Sequence, residues 1–124
     1  MKYESLLRDL DKINTNLCKL DFISYTFLYG STSRMLVHAD SDIDLILIGN
    51  KEKNISVVSY ITKFFDELEL ENEVDIKYYE FNNFCKLKET SLFLNKIRGD
   101  CKSIDNAIMD INHLLERRST NWII

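Results

Sequence analysis

A pair of acidic residues carries the most distinctive chemical pattern in this sequence. Asp42 and Asp44 stand two positions apart, at the start of an apolar run that continues to Ile48. Side chains two positions apart on a β-strand point to the same face, so the two carboxylates are predicted to project together. Adjacent carboxylates repel each other unless a cation lies between them, and oxygen ligands of this kind suit Mg²⁺. The pair therefore predicts a metal site.

The Gly30-Ser31 pair, just upstream, predicts the other half of the same site. It follows the apolar run 25–29, and glycine lets the backbone approach a ligand closely. Ser31 is placed to cap a short helix that ends near Val37, and the N–H groups at a helix start favour an anion such as phosphate. A phosphate site beside a carboxylate metal site indicates a metal–nucleotide complex and a phosphoryl or nucleotidyl transfer.

A transfer of this kind also needs a base for the attacking hydroxyl. Asp75 lies between apolar residues in the stretch 73–81, which predicts a third strand. If that strand neighbours the second one, Asp75 joins the earlier carboxylates on one face of the sheet, and Lys77 and Tyr79 lie beside it. Asp75 could then bridge a second metal ion and act as the base.

The surrounding pattern predicts the elements that position these residues. Strand-forming runs cover 22–29, 42–48 and 73–81, and helical spacing covers 2–19, a helix capped by Asn54, 87–97 and 104–117, with a break at Asn82-Asn83. Helices that alternate with three strands predict an α/β (α+β) protein, with a small mixed β-sheet and its helices packed mainly on one face.

Composition narrows the class of protein. The 124 residues predict a single domain, with its core over about 1–81 and a helical extension over about 82–124. A net charge of −4 argues against binding long nucleic acid by charge alone. No apolar run approaches the ~20 residues that cross a membrane, and the charged N-terminus lacks a signal-peptide block. With three scattered cysteines, this predicts a cytoplasmic protein with reduced thiols and no membrane contact.

These motifs resemble a known signature. Gly30-Ser31, ten residues and then Asp42-x-Asp44, each beside an apolar strand, is similar to the pattern of the DNA polymerase β-like nucleotidyltransferase superfamily. The run YGSTSR…DSDIDLILI looks most like the minimal nucleotidyltransferase (MNT) domains, which often pair with HEPN proteins as antitoxin and toxin. The resemblance extends to about residue 81. It implies a palm-like nucleotidyltransferase fold, a two-metal Mg²⁺ site, and ATP or another NTP as substrate.

The resemblance also implies a role for each matching residue. Gly30 and Ser31 would hold the triphosphate, Asp42 and Asp44 would bind the two metal ions, and Asp75 would be the third acid. Arg34 matches a basic position in the loop of the family, where it would contact phosphate.

Each of these residues has a plain structural interpretation as well. Asp42 could cap the start of a strand, and Asp44 could lie on the surface of an edge strand. Asp75 could form an ordinary ion pair with Lys77 on an exposed sheet face. Arg34 could be a solvated helix residue. The apolar side chains in 81–93 could pack as ordinary core or form a contact patch for a partner.

The number of residues after the third strand limits the kinds of acceptor that the transfer could use. The residues after the third strand are too few for a second core, so the acceptor would be small or belong to another chain. The first hypothesis is a Mg²⁺-dependent nucleotidyltransferase that moves an NMP, AMP from ATP in the simplest case, onto a hydroxyl of a HEPN-type partner. The alternatives are a non-catalytic, antitoxin-like binding module and a small-molecule (antibiotic-type) nucleotidyltransferase. Self-association into a homo-oligomer is also compatible with the sequence.

Overall fold

The computed structural model describes residues 2–33, 42–92, 94 and 101–121. Its helices are α1 (Tyr3–Asn16), α2 (Gly30–Ser33), α3 (Ile55–Glu67), α4 (Phe81–Thr90) and α5 (Ile104–Asn121). Its strands are β1 (Ile23–Tyr29), β2 (Ile43–Gly49), β3 (Val74–Glu80) and β4 (Lys102–Ser103), and a 3₁₀ turn, Leu17–Lys19, follows α1. Within these ranges, no helix is both long enough and apolar enough to cross a membrane.

The four strands form one mixed sheet in the order β3-β2-β1-β4. β1 runs antiparallel to both β2 and β4, while β2 runs parallel to β3. Parallel neighbours need a crossover connection, and α3 supplies it between β2 and β3. The predicted mixed sheet is therefore confirmed, and β2, the strand that carries Asp44, lies between two long partners.

The main core fills one face of this sheet. β2 alternates, so Ile43, Leu45 and Leu47 point into this core while the residues between them point to the opposite face. Helices α1, α3 and α5 cover the core with buried side chains: Leu6, Leu10, Ile13, Ile61, Phe65, Ile104, Ala107 and Ile111. The prediction that helices pack mainly on one face is confirmed.

The opposite face of the sheet holds a smaller apolar cluster. Tyr29, Ile46, Ile48 and Leu94 are buried there, and Phe27, Tyr79 and Phe84 pack against them. Phe84 belongs to α4, so α4 lies on this second face. Part of the apolar stretch 81–93 therefore packs on the sheet, while Phe81, Leu87 and Leu92 stay exposed.

The predicted break at Asn82-Asn83 is wrong, because β3 passes directly into α4. The Glu80 carboxylate accepts a hydrogen bond of 2.9 Å from the N–H of Asn83 and so caps the helix that begins at Phe81. The predicted cap at Asn54 is confirmed, since its side chain accepts from the N–H of Val57 at 2.9 Å. Strand β4 was not predicted, because two residues show no hydrophobic period.

A buried carboxylate ties α1 to the loop that enters β3. Asp9 lies on the same helix face as Leu6 and Ile13 and is fully buried. It accepts hydrogen bonds from the N–H of Glu71 at 2.9 Å, and from the N–H and side-chain amide of Asn72, both at 2.8 Å. Arg8 adds an exposed ion pair of 3.0 Å to Glu71. The start of β3, and with it Asp75, is therefore anchored to α1.

Replacing Asp9 with Ala should lower the free energy of unfolding by about 2–3 kcal/mol, because donors that now bind a carboxylate would lose their acceptor. Asp11→Ala is the matched control, since Asp11 is exposed on the same helix and its loss should change stability by less than about 0.5 kcal/mol. Urea denaturation of both variants measures the difference. Equal stability of the two variants would contradict the anchoring role.

Candidate active site

Three neighbouring strands bring Tyr29, Asp44 and Asp75 into one row. Tyr29 pairs with Asp44 in the β1–β2 register, and Asp44 pairs with Asp75 in the β2–β3 register. The row lies at the end of the sheet where β1 stops and β2 and β3 begin. It occupies the face opposite the main core, as Ile43 and Leu45 point the other way. We call these three residues the acid row.

Asp44 is the electrostatic centre of the acid row. Burial raises the pKa of its carboxyl above the ordinary value, and the negative charges of Asp75 and Asp42 raise it further, while Lys77 acts in the opposite direction. The carboxylates of Asp42 and Asp75 are thus both close enough to act on that of Asp44. A cation placed among them would relieve this repulsion.

Asp75 is the most accessible member of the acid row, with 53% of its side chain exposed. The Lys77 Nζ atom lies 3.7 Å from an Asp75 carboxylate oxygen, so the ion pair considered in the structural interpretation of Asp75 is present. An exposed pair of this kind contributes only about 0–1 kcal/mol. It therefore leaves Asp75 able to turn toward a bound ligand.

Gly30 brings the backbone directly beside the acid row. Its φ of +70° lies in the left-handed region, which L side chains rarely adopt. A Cβ atom at this position would lie 2.6 Å from an Asp44 carboxylate oxygen, so the space beside Asp44 exists only because residue 30 is glycine. The buried Ser33 hydroxyl donates a hydrogen bond of 2.7 Å to the Gly30 carbonyl and holds this turn.

The sequence matches the family model described as "Polymerase beta, Nucleotidyltransferase" over residues 11–97. The chain belongs to the polymerase β nucleotidyltransferase family. The match includes the three long strands and every residue of the acid row.

The fold agrees with this family. A crystal structure of a protein from Sulfolobus solfataricus, provisionally assigned as a nucleotidyltransferase, superimposes with a TM-score of 0.52 and 18% sequence identity. The alignment covers 83% of this chain and 86% of that one, and at this identity it shows a shared fold alone. Comparison of the sequence with curated proteins gives no significant match.

The acid row of this nucleotidyltransferase domain has the chemistry for a hard divalent cation. It offers carboxylate oxygens on adjacent strands, and burial together with the neighbouring negative charges raises the pKa of Asp44. In the conformation described for residues 2–33, 42–92, 94 and 101–121, no three His, Cys, Asp or Glu side chains are grouped closely enough to enclose a metal ion. The exposed Asp42 and Asp75 side chains can rotate toward Asp44, so the donor set fits such an ion.

The structure places only some of the predicted site residues. It brings Gly30, Asp44 and Asp75 together and sets Asp42, which is exposed, just before β2. Arg34 and the side chain of Ser31 lie outside the described residues, so their roles stay predictions.

Tyr29 is a member of the acid row that the sequence analysis does not predict, because it closes the apolar run 25–29. Burial raises the pKa of the Tyr29 hydroxyl, and the negative charges of Asp44 and Asp75 raise it further. Its position directly before Gly30 was the signal that could have found it.

Proposed function

We propose that this nucleotidyltransferase domain transfers an NMP, AMP from ATP in the simplest case, onto a hydroxyl of a partner protein such as a HEPN-type toxin. The register that sets Asp44 beside Asp75, with Gly30 against the same carboxylate, carries the proposal. This arrangement combines candidate metal ligands, a candidate base and a backbone segment without a side chain at one end of the sheet. Membership of the family supports the reaction type.

Each residue has a defined part in the proposed reaction. Asp42, Asp44 and Asp75 would hold Mg²⁺, which when bound neutralises phosphate charge and orients the triphosphate. Gly30 leaves room for the phosphates beside Asp44, and Ser31 and Arg34 are proposed to contact them. The Asp75 carboxylate takes the proton as the acceptor oxygen attacks the α-phosphorus, and pyrophosphate leaves.

The face that carries the acid row is suited to an acceptor from another chain. Tyr25, on this face of β1, is 50% exposed, and Phe81 beside it is 42% exposed, with ring centroids 6.1 Å apart. Leu87 and Leu92 of the following segment are exposed too. We call Tyr25, Phe81, Leu87 and Leu92 the exposed apolar rim and place the partner over it. Tyr25 and Phe81 lie toward the end of the sheet opposite the acid row, because Tyr25 pairs with Ile48 and Phe81 follows the last residue of β3. The reduced thiols of Cys18 and Cys85 support a cytoplasmic setting.

Transfer of label from ATP tests this proposal. The protein is incubated with Mg²⁺, the product of the neighbouring gene, and ATP labelled on either the α- or the γ-phosphate. We expect the α-label on the partner and no γ-label, because γ-phosphate leaves within pyrophosphate. Label from the γ-phosphate would indicate phosphoryl transfer instead. Label on an antibiotic-type hydroxyl compound, with none on the partner, would identify a small-molecule transferase.

The exposed apolar rim also favours a second candidate, a binding module that neutralises its partner by contact. Asp44→Asn and Leu92→Asp separate the two candidates, because the first removes a site carboxylate and the second alters an 88% exposed rim residue. Neutralisation by modification is lost in Asp44→Asn. Neutralisation by contact persists in Asp44→Asn and weakens in Leu92→Asp. Suppression of partner toxicity in cells is the measurement.

A further inference from the structure

We propose that two copies of this chain pair through β3, and that each copy supplies Lys77 to the acid row of the other. β2 pairs with one side of β3, and no strand among the described residues pairs with the other side, which we call the outer edge. An unpaired edge of seven residues is a ready template for a further strand.

Alternate residues of β3 direct their backbone groups to the outer edge. The Glu73 carbonyl accepts a hydrogen bond of 2.9 Å from the N–H of Ile43, so residue 73 directs its carbonyl toward β2. Successive residues of a strand direct their backbone groups to opposite sides. The N–H and C=O groups of Val74, Ile76 and Tyr78 therefore face outward and are placed to form a second ladder.

The charges on β3 select one register for this pairing. Two copies related by a two-fold axis pair their β3 strands antiparallel. When the pair is centred on Ile76, Asp75 of each copy lies opposite Lys77 of the other, and two opposite-charge pairs form. Centring on Asp75 or on Lys77 sets a charge opposite itself, which is destabilising. Centring on Tyr78 sets Lys77 opposite Tyr79 and forms no ion pair.

The backbone is compatible with the register centred on Ile76. Ile76 then lies opposite its own counterpart, and Val74 lies opposite Tyr78, so the outward-facing residues form the hydrogen-bonded pairs of the ladder. Asp75 and Lys77 form the non-hydrogen-bonded pairs, in which opposite Cα atoms are about 4.5 Å apart and side chains are closest. The opposite charges thus meet where a cross-strand contact is strongest.

An apolar surface beside the outer edge suits the same partner. A groove of about 500 Å³ runs along the start of β3 on the face of the main core, and Phe65, Leu70, Val74 and Ile76 form its apolar part. Val74 and Ile76 are only partly buried. In the proposed register, Ile76 of the second copy lies on this same face and covers the apolar part of the groove, which removes apolar surface from water.

The pairing also adds a positive charge to each acid row. Within one chain, the Lys77 Nζ atom lies 3.7 Å from an Asp75 carboxylate oxygen, and both side chains are partly exposed. A lysine on an edge strand commonly blocks strand addition, but here the lysine of each copy meets an aspartate of the other. Asp75 then lies between two ammonium groups.

Sedimentation equilibrium in EDTA, without nucleotide, tests the proposal independently of nucleotidyl transfer. We expect the wild-type chain to dimerise. Lys77→Glu should dimerise about tenfold or more weakly, because both opposite-charge pairs become like-charge pairs. Lys19→Glu is the matched control: it makes the same charge change at an exposed lysine outside β3, and its dimerisation should match the wild type.

A charge-swapped chain tests the register itself. Asp75→Lys combined with Lys77→Asp reverses both partners, so each new lysine again lies opposite an aspartate and wild-type dimerisation should return. Circular dichroism checks that each variant is folded. Folded charge-swapped chains that dimerise as weakly as Lys77→Glu would overturn the proposal.

Hydrogen exchange on the wild-type chain tests the same interface without a substitution. The N–H groups of Val74, Ile76 and Tyr78 should exchange more slowly in concentrated than in dilute protein, whereas those of Asp75 and Lys77 already face β2 and should not change. Exchange at Val74, Ile76 and Tyr78 that is independent of concentration would overturn the proposal. A wild-type chain that stays monomeric up to about 1 mM would also overturn it, and would leave the outer edge to a strand of another protein.

Discussion

Replacement of Asp44 by Ala is expected to abolish nucleotidyl transfer, with a loss of about 10³-fold or more, while the fold stays intact. Asp44 is the one carboxylate that lies between Tyr29 and Asp75 in the register and against the Gly30 backbone. Its removal takes away a ligand shared by the proposed metal and phosphate sites. Label transfer from α-labelled ATP measures the effect, and Asp21→Asn, an exposed change in the turn before β1, is the control.

Asp44 is expected to support transfer and, in the absence of metal, to lower the stability of the folded protein. Burial and the neighbouring charges raise the pKa of Asp44 in the folded protein, so its ionised form lowers the free energy of unfolding. The penalty is absent below the ordinary Asp pKa of ~3.9, where Asp44 is protonated in both states. It grows as the pH rises from this ordinary value to the raised folded-state pKa, and it is complete above the folded-state pKa.

Asp44→Asn should therefore unfold at a higher temperature than the wild type at pH 7 in EDTA, and the two should converge in acid. Excess Mg²⁺ should reverse the order, because a ligand stabilises only the chain that binds it. Thermal unfolding at several pH values measures both effects. An Asp44→Asn chain that is less stable than the wild type in EDTA would indicate a structural role for the carboxylate.

Replacement of Gly30 by Ala is expected to damage both stability and transfer. The left-handed φ of +70° costs an L side chain about 1–2 kcal/mol, and the new Cβ atom would lie 2.6 Å from an Asp44 oxygen. The carboxylate must move, so transfer should fall by about 10²-fold or more, the size of effect produced by a small misplacement at a reacting site. Urea denaturation and label transfer measure the two effects.

A second background separates the two causes of damage. In Asp44→Ala, the oxygen that collides with the Cβ atom is absent, so Gly30→Ala should lower the free energy of unfolding by less than it does in the wild-type background. The cost of the left-handed φ should remain. Wild-type stability and wild-type transfer in Gly30→Ala would show that the close approach of Gly30 to Asp44 has no functional role.

The pairing of Asp44 with Asp75 could be predicted from the sequence because two strong local signals agree. The period of two along β2 fixes the face of Asp44, and the helix between the second and third strands predicts a parallel crossover that sets them side by side. Gly30 stood out because the sequence holds only three glycines. These features depend on short stretches of chain.

Other features depend on contacts between distant parts of the chain, which no local pattern contains. By its residue type, Asp9 would be expected on the surface of α1. It can be buried because the backbone N–H groups of residues 71 and 72 donate hydrogen bonds to its carboxylate. Tyr29 looks like one more apolar strand residue, and it joins the acid row only because β1 and β3 both pair with β2. The start of α4 at Phe81 required the carboxylate of Glu80 to act as a cap, which competes with the turn preference of the two asparagines.

Calorimetric titration with a non-hydrolysable ATP analogue tests the central claim most directly, because it requires no acceptor. The titration is run on the wild-type chain and on Asp44→Asn, each with Mg²⁺ and with EDTA. If the acid row is a metal–nucleotide site, the wild-type chain binds the ATP analogue when Mg²⁺ is present. It does not bind the analogue in EDTA, and Asp44→Asn does not bind it under either condition. Equal binding by the two chains, or binding by the wild type that persists in EDTA, would contradict the assignment of this site.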